Sequence, residues 1–184
     1  MPSMIGHGLW GLAVGAGLIR KPFPWRLMGL GLACSMTADL DILGFHLSIP
    51  YEHWLGHRGL LHGIMFAVLL ALGAGALMPR DAAHPKRRIG YFAFFLFCGL
   101  SHIALDACSN GGLGVAFFAP FSNRRYFLPW RFMDAVPLSI NQLFSLKWIA
   151  VITREARTLA LPCLGMFLAI FGTRRAFRNR RHNT

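Results

Sequence analysis

Histidine and aspartate residues recur at the ends of apolar stretches in this chain of 184 residues. In "HIALD", His102 and Asp106 are four residues apart, so a helix puts both on one face about one turn apart. That arrangement suits two ligands of one metal ion. In "ADLD", Asp39 and Asp41 are two residues apart, and they converge only if their helix ends there, as the following Gly44 indicates. Both pairs predict chemistry at a helix end.

The segment "GHRGLLHG" adds two histidines and an arginine just before another apolar stretch. His57 and His62 are five residues apart, which is awkward on a regular helix, so we predict that one of them precedes the first turn. Gly56 and Gly59 permit that departure from helical geometry. A further histidine, His7, lies at the start of the first apolar stretch. These imidazoles join the carboxylates as candidate ligands.

Apolar segments must position these side chains. With 55% hydrophobic residues and a mean hydropathy of +0.48, the chain is too apolar for an ordinary soluble domain. A membrane-spanning helix needs about 20 largely apolar residues. Five stretches of the sequence reach or approach that length, at 5–19, 27–45, 60–78, 89–107 and 158–172.

We therefore predict an all-α, polytopic membrane helical bundle with about five transmembrane helices. Residues 1–173 form its single domain, and 174–184 form a basic cytoplasmic tail. The segment 137–152 is apolar but carries Asn141, Gln142 and Lys147, so we predict an interfacial or re-entrant helix there.

Basic residues are concentrated in the connections "RKPFPWR" and "PRDAAHPKRR" and in the tail "TRRAFRNRRHNT". With five spans these segments all fall on one side, and they hold 12 of the 19 Lys and Arg residues. The positive-inside rule makes that side cytoplasmic and places the N-terminus outside. The net charge of +12 follows the same pattern, so we expect membrane lipids as partners and no nucleic acid.

Alternating helix directions bring the histidine and aspartate ends to one outer face of the bundle. An aspartate within a span costs several kcal/mol, so it marks a site or an ion pair with arginine. One alternative is that the aspartates only stabilise the bundle by pairing with Arg58, Arg124 or Arg125. The set as a whole predicts a divalent metal site, with zinc favoured by the imidazoles and manganese or magnesium as alternatives. The six candidate ligands are His7, Asp39, His57, His62, His102 and Asp106.

Several motifs together resemble the YdjM-like family of bacterial inner-membrane proteins, described as membrane-bound metal-dependent hydrolases. They are His7, "ADLD" at 38–41, "HRGLLHG" at 57–63, "HIALD" at 102–106 and "APFSNRRYF" at 119–127. The resemblance covers roughly residues 1–135 and implies the bacterial inner membrane as the location. The family is in turn similar to zinc-dependent phospholipase C and P1-type nucleases, which implies hydrolysis of a phosphoester. No His-x-x-x-Glu follows Asp106, so we expect one or two metal ions rather than three.

The predicted mechanism is metal-assisted hydrolysis of a lipid or lipid-linked phosphoester. The metal would lower the pKa of a bound water, and Asp41 would orient or deprotonate that water. Arg58 and Arg125 would neutralise charge on the phosphate, and Arg124 and Arg131 would bind the substrate through their forked donors. Anchoring of the loop arginines to anionic headgroups fits the same charges.

Two other classes of membrane protein stay open. A transporter also places His and Asp in the membrane, but it usually shows internal repeats and polar groups near the bilayer midplane. A structural or regulatory protein needs only Asp-Arg pairs. Convergence of His57, His62 and His102 on Asp106 favours the enzyme, whereas a private salt bridge for each aspartate favours the structural protein.

Overall fold

The structure, a computed structural model, describes residues 4–18, 25–79 and 86–133 together with isolated positions between 149 and 168. Within these residues the chain is all-α, as predicted, and extended pairing is limited to isolated bridges in the loop after the last long helix. The α-helices are α1 (Met4–Leu18), α2 (Trp25–Met36), α3 (Leu43–His46), α4 (Ile64–Ala76) and α5 (Lys86–Ala107). Two 3-10 helices, Thr37–Ile42 and Leu60–His62, lie between them.

Two stretches of the described chain are long and apolar enough to cross a membrane. They are Trp25–His46, with a mean hydropathy of 1.3, and Arg87–Ala107, with 1.6. They coincide with the second and fourth predicted spans. α1 follows the first predicted span, whereas α4 has only 13 residues because a 3-10 helix and the extended Gly63 precede it.

The fifth predicted span, at 158–172, lies outside the described residues apart from isolated positions, and so does the predicted interfacial segment at 137–152. The predicted domain boundary at 173 and the basic tail also fall there. The count of five spans and this boundary stay predictions.

Small residues bring α1, α2 and α5 close together. A Cβ atom added at Gly11 of α1 would lie 2.2 Å from the Ser35 hydroxyl of α2. A Cβ at Gly31 of α2 would lie 2.7 Å from the Phe94 ring of α5. Glycine at helix contacts allows backbones to approach in this way, as is common in membrane bundles. The close packing fixes the spacing of the three helices whose ends carry the polar side chains.

The apolar core lies between α2, α4 and α5. Its buried members are Leu27, Cys34, Ala71, Ala74, Met78, Phe94, Phe95 and Cys98. Large apolar side chains on the other faces of the helices are exposed, among them Leu69 and Leu72 of α4 and Ile89 of α5. Apolar residues on both the inner and outer faces are typical of helices surrounded by lipid.

Two irregular segments close one end of the bundle, one before α4 and one after α5. The Ala116 N–H donates to the Arg58 carbonyl over 3.0 Å, and the Ile64 N–H donates to the Phe117 carbonyl over 2.9 Å. The Leu128 N–H donates to the Ala107 carbonyl over 2.9 Å. These bonds tie both segments to the carboxyl end of α5, where the polar side chains converge.

Candidate metal centre

Four side chains from three parts of the chain converge at this end of the bundle. Asp39 comes from the 3-10 helix that follows α2, His62 from the 3-10 helix before α4, and His102 and Asp106 from α5. Each offers one ligand atom, and these atoms all lie within 4.8 Å of one another. All four residues are at most 2% exposed. This group could hold a metal ion.

The imidazole Nε2 atoms of His62 and His102 face each other over 3.1 Å. His62 Nε2 lies 3.2 Å from Asp106 Oδ2, and His102 Nε2 lies 3.5 Å from Asp39 Oδ1. Asp39 Oδ1 is also 3.9 Å from His62 Nε2. Two nitrogens and two carboxylate oxygens therefore surround one point, which is the donor set of a borderline divalent ion such as zinc.

The other ring nitrogens of these histidines have acceptor partners. His102 Nδ1 donates to the Ser35 carbonyl over 2.7 Å, and His62 Nδ1 lies 2.8 Å from Asp41 Oδ2. An imidazole that donates through Nδ1 presents an Nε2 lone pair in its neutral form. This is the partner arrangement that orients histidine ligands in metal sites.

Asp39 supplies a second observation that is consistent with a bound cation. Neither of its carboxylate oxygens has a hydrogen-bond partner among the described residues, although the side chain is buried. Asp106 Oδ1 is likewise without a hydrogen bond. A buried carboxylate oxygen without a partner is costly, and a bound cation removes that cost.

The carboxylate of Asp41 lies against the Nδ1 atoms of two histidines, His57 and His62. It lies 2.6 Å from His57 Nδ1 and 2.8 Å from His62 Nδ1, and it accepts the Arg58 backbone N–H over 2.9 Å. With both oxygens engaged, Asp41 is placed to orient histidines rather than to activate water. His57, predicted as a ligand, lies beside Asp41 and outside the four-residue group.

Two glycines and a strained arginine shape the turn that carries these histidines. Arg58 has a φ of 61°, in the left-handed region that is uncommon for a residue with a side chain. A Cβ at either Gly56 or Gly59 would lie 2.3 Å from a backbone carbonyl oxygen, so only glycine fits the turn. As predicted, the glycines permit a departure from helical geometry, and both His57 and His62 precede α4.

The Arg58 guanidinium is buried, and each of its three nitrogens has a hydrogen-bond acceptor. Its Nε is 3.1 Å from Asp106 Oδ2, one terminal nitrogen donates to the Gly111 carbonyl over 2.7 Å, and the other donates to Ser109 Oγ over 2.8 Å. Arg58 therefore holds Asp106 in place, where sequence analysis had assigned it to a phosphate. The Arg58–Asp106 pair is also one of the ion pairs that the structural alternative requires.

His7 from α1 completes the inner wall of the cluster. Its ring stacks on His102 with centroids 3.8 Å apart, and its Nε2 lies 3.3 Å from Asp106 Oδ1. Neither ring nitrogen has a hydrogen bond among the described residues. The structure thus places His7 and His62 on opposite carboxylate oxygens of Asp106.

Arg125 points into the protein. Its guanidinium donates to the carbonyls of His57 over 2.8 Å, Tyr51 over 2.7 Å and His53 over 3.3 Å. Partial burial lowers the pKa of Arg125 and raises that of the Tyr51 phenol, which therefore stays neutral at physiological pH. Arg125 braces the turn that carries the histidines, which differs from the predicted contact with phosphate.

Arg124 and Arg131 are exposed instead. Arg124 lies 5.7 Å from the centroid of the Tyr126 ring, and Arg131 lies 4.1 Å from that of Phe127. The sequence predicted a phosphate contact for Arg125 and substrate binding for Arg124 and Arg131, and no spacing rule could show that Arg125 points inward while the other two point outward. Sequence analysis also missed Ser35 and Ser109, whose contacts involve a backbone carbonyl and an ordinary hydroxyl.

A buried group of imidazoles and carboxylates at the end of an apolar helical bundle defines a membrane protein with a candidate metal centre. A family model described as "YdjM inner membrane protein" matches residues 1–179. The chain is also 33% identical over 171 residues to inner membrane protein YbcI of Escherichia coli (strain K12), covering 91% of this chain and 95% of that protein. No solved structure matches the chain. The protein belongs to the YdjM family of inner membrane proteins, which confirms the predicted family and supports location in the inner membrane.

Proposed function

We propose that this protein is a membrane-bound metal-dependent hydrolase that cleaves a phosphoester of a lipid or lipid-linked substrate. The observation that supports it best is the convergence of two Nε2 atoms and two buried carboxylates on one point. A cation bound among these groups would neutralise the two buried carboxylates and use the lone pairs that neutral imidazoles offer at Nε2. An ion pair network alone has no need for two imidazoles at this position.

Asp39, His62, His102 and Asp106 would hold the metal. A divalent ion bound there supplies Lewis acidity, which lowers the pKa of water and polarises a phosphoryl oxygen. Water then attacks phosphorus, the P–O ester bond breaks, and the proton from water ends on the leaving alcohol. Because Asp41 is occupied by histidines, Asp39 Oδ2, which has no hydrogen bond among the described residues, would take the proton from water and pass it to the leaving alkoxide.

Both oxygens of Asp106 face nitrogen donors, which favours a second ion. Oδ2 faces His62, and Oδ1 faces His7 over 3.3 Å. His7 and Asp106 would be the residues that hold such an ion, which would help to stabilise the charge on a phosphoryl oxygen. We therefore propose one ion in the four-residue group and room for another beside His7, with zinc favoured over manganese and magnesium by the imidazoles.

The position of the cluster favours a lipid phosphoester as substrate. His102 and Asp106 lie in the last turns of α5, and Asp39 follows α2 within Trp25–His46; both stretches are long and apolar enough to cross a membrane. A group at such an end meets the layer in which lipid phosphates lie. The hydrolase therefore suits a substrate that stays in the membrane while its phosphate reaches the site.

Metal content and hydrolysis test this proposal together. Purified parent protein supplied with zinc or manganese should retain at least one ion per chain and hydrolyse bis(p-nitrophenyl) phosphate or phosphatidic acid. Asp39→Asn and His102→Gln should lose more than about a hundredfold in metal affinity, since loss of an outer partner of a ligand already costs 10- to 100-fold. His46→Gln removes an exposed histidine and serves as the control.

The outcomes separate the enzyme from the structural protein. Absence of bound metal after both ions are supplied would overturn the metal centre. Unchanged metal content in both ligand variants would do the same. A protein that binds metal but hydrolyses no phosphoester from a broad panel would retain the centre and lose the proposed reaction.

A further inference from the structure

The loop after α5 exposes several aromatic and basic side chains. Four large side chains stand out from it: Phe118, Phe121, Trp130 and Phe132, which are 53 to 81% exposed. Arg124 and Arg131 are exposed on the same loop. We call these six exposed residues of the loop the aromatic-arginine surface.

The loop is fixed to the end of a helix that is long enough to cross the membrane. The Leu128 N–H donates to the Ala107 carbonyl over 2.9 Å, and the Asn110 N–H donates to the Met133 carbonyl over 2.9 Å. Aromatic side chains at the end of a span lie at the headgroup level, where an apolar ring and a wet rim are both accommodated. A surface held at the end of such a helix suits the depth of lipid headgroups.

The two arginines of this surface carry positive charges that can bind an anion. Each guanidinium lies against an aromatic ring of the loop, and neither has a carboxylate partner in the part of the chain that the structure describes. Arg125, by contrast, donates its hydrogen bonds to backbone carbonyls. Of the three arginines in this loop, the two outward ones are therefore available to an external anion.

We propose that the aromatic-arginine surface binds the headgroups of anionic phospholipids. The exposed rings enter the headgroup layer, and the two guanidinium groups pair with lipid phosphates. Continuity with the membrane-spanning helix favours a lipid over a soluble anion. The proposal concerns a surface outside the metal centre and does not depend on hydrolysis.

Energy transfer from tryptophan to a dansyl-labelled lipid measures this binding for the full chain in non-ionic detergent micelles. The parent protein should bind dansyl-phosphatidylglycerol more tightly than dansyl-phosphatidylcholine. Arg124→Gln with Arg131→Gln should weaken phosphatidylglycerol binding roughly 25-fold, since each basic residue near an anionic surface contributes a factor of about five, or about 1 kcal/mol. Binding of phosphatidylcholine should change little.

Two matched variants keep the result interpretable. Arg124→Lys with Arg131→Lys should retain most of the affinity, because the contact depends on charge rather than on the planar fork, and its folding is checked alongside by circular dichroism. Arg88→Gln, an exposed arginine near the start of α5, should leave binding unchanged.

Three results would overturn the proposal. One is equal binding of the two lipids by the parent protein. Another is a loss in Arg88→Gln as large as in the double glutamine variant, which would indicate general attraction by net charge. The third is displacement of dansyl-phosphatidylglycerol by inorganic phosphate as readily as by unlabelled phosphatidylglycerol, which would assign the arginines to a free anion. Metal-free protein should give the same affinities, so failure of the hydrolase would not affect this test.

Discussion

At the scale of single residues, the geometry of the candidate centre depends on the side chains and carbonyls that hydrogen-bond to its ligands. The pair His102 and Asp106 could be predicted from their spacing, since four residues make one helical turn. The sequence prediction of Asp39 rather than Asp41 as the ligand agrees with the four-residue group, although both side chains are buried on one short 3-10 helix and their spacing alone does not separate them. Only the folded chain shows Asp41 bonded to two histidines and Asp39 without hydrogen bonds.

Substitution of Asp41 separates its two assigned roles. Asp41→Asn places an amide where His57 and His62 each direct an Nδ1 atom, so the histidines lose a charged acceptor. We expect metal affinity to fall 10- to 100-fold, measured by competition with a chelator of known affinity. Glu52→Gln, which removes an exposed carboxylate, should keep the parent affinity.

A different outcome for Asp41→Asn would restore the role predicted from sequence. If the variant binds metal as the parent protein does and loses only hydrolysis, Asp41 acts on water and not on the histidines. Metal affinity and hydrolysis measured together therefore decide whether Asp41 orients the histidines or acts on water.

At the scale of elements, the ends of the helices matter more than their apolar bodies. The second predicted span is confirmed as one long apolar stretch, yet its regular α-helix ends at Met36 and a 3-10 helix follows. On a continuous α-helix, residues 39 and 41 would point about 200° apart. The tighter winding turns both inward, and hydropathy alone carries no signal of this change because the segment stays apolar.

The glycine contact between α1 and α2 tests how strictly the helices must be spaced. Gly11→Ala adds a methyl group 2.2 Å from Ser35 Oγ, and the Ser35 carbonyl orients His102. We expect a loss of about 1 to 3 kcal/mol in stability from overpacking, together with weaker metal binding. A lower midpoint of thermal unfolding in detergent and a chelator titration measure the two effects.

Gly73→Ala provides the matched control. Gly73 lies in α4 with nothing within 4 Å of an added Cβ, and alanine is favoured over glycine in a helix by roughly 0.5 to 1 kcal/mol. This variant should be as stable as the parent protein or slightly more so, with unchanged metal affinity. Equal stability of the two variants would show that the α1–α2 contact tolerates separation.

At the scale of the whole molecule, the basic residues and the histidine and aspartate residues fall in different connections between the apolar segments. The basic connections alternate with the ends that carry the histidines and aspartates, so a bundle places the two sets on opposite sides. The structure supports one half of this arrangement, since it gathers the histidine and aspartate ends at one place. The other half, the orientation in the membrane, stays a prediction from the positive-inside rule.

Labelling from one side of the membrane tests the orientation. After replacement of the native cysteines, a cysteine introduced by Ser122→Cys should react with a membrane-impermeant thiol reagent in intact spheroplasts, because its loop is hydrogen-bonded to the segment before α4 that carries the histidines. A cysteine introduced by Ala83→Cys, within the basic connection "PRDAAHPKRR", should react only after the membrane is permeabilised. The reverse pattern would place the candidate metal centre at the cytoplasmic face and make cytoplasmic lipid phosphates its substrate pool. Labelling of both positions in intact cells would contradict an arrangement in which an odd number of spans separates them.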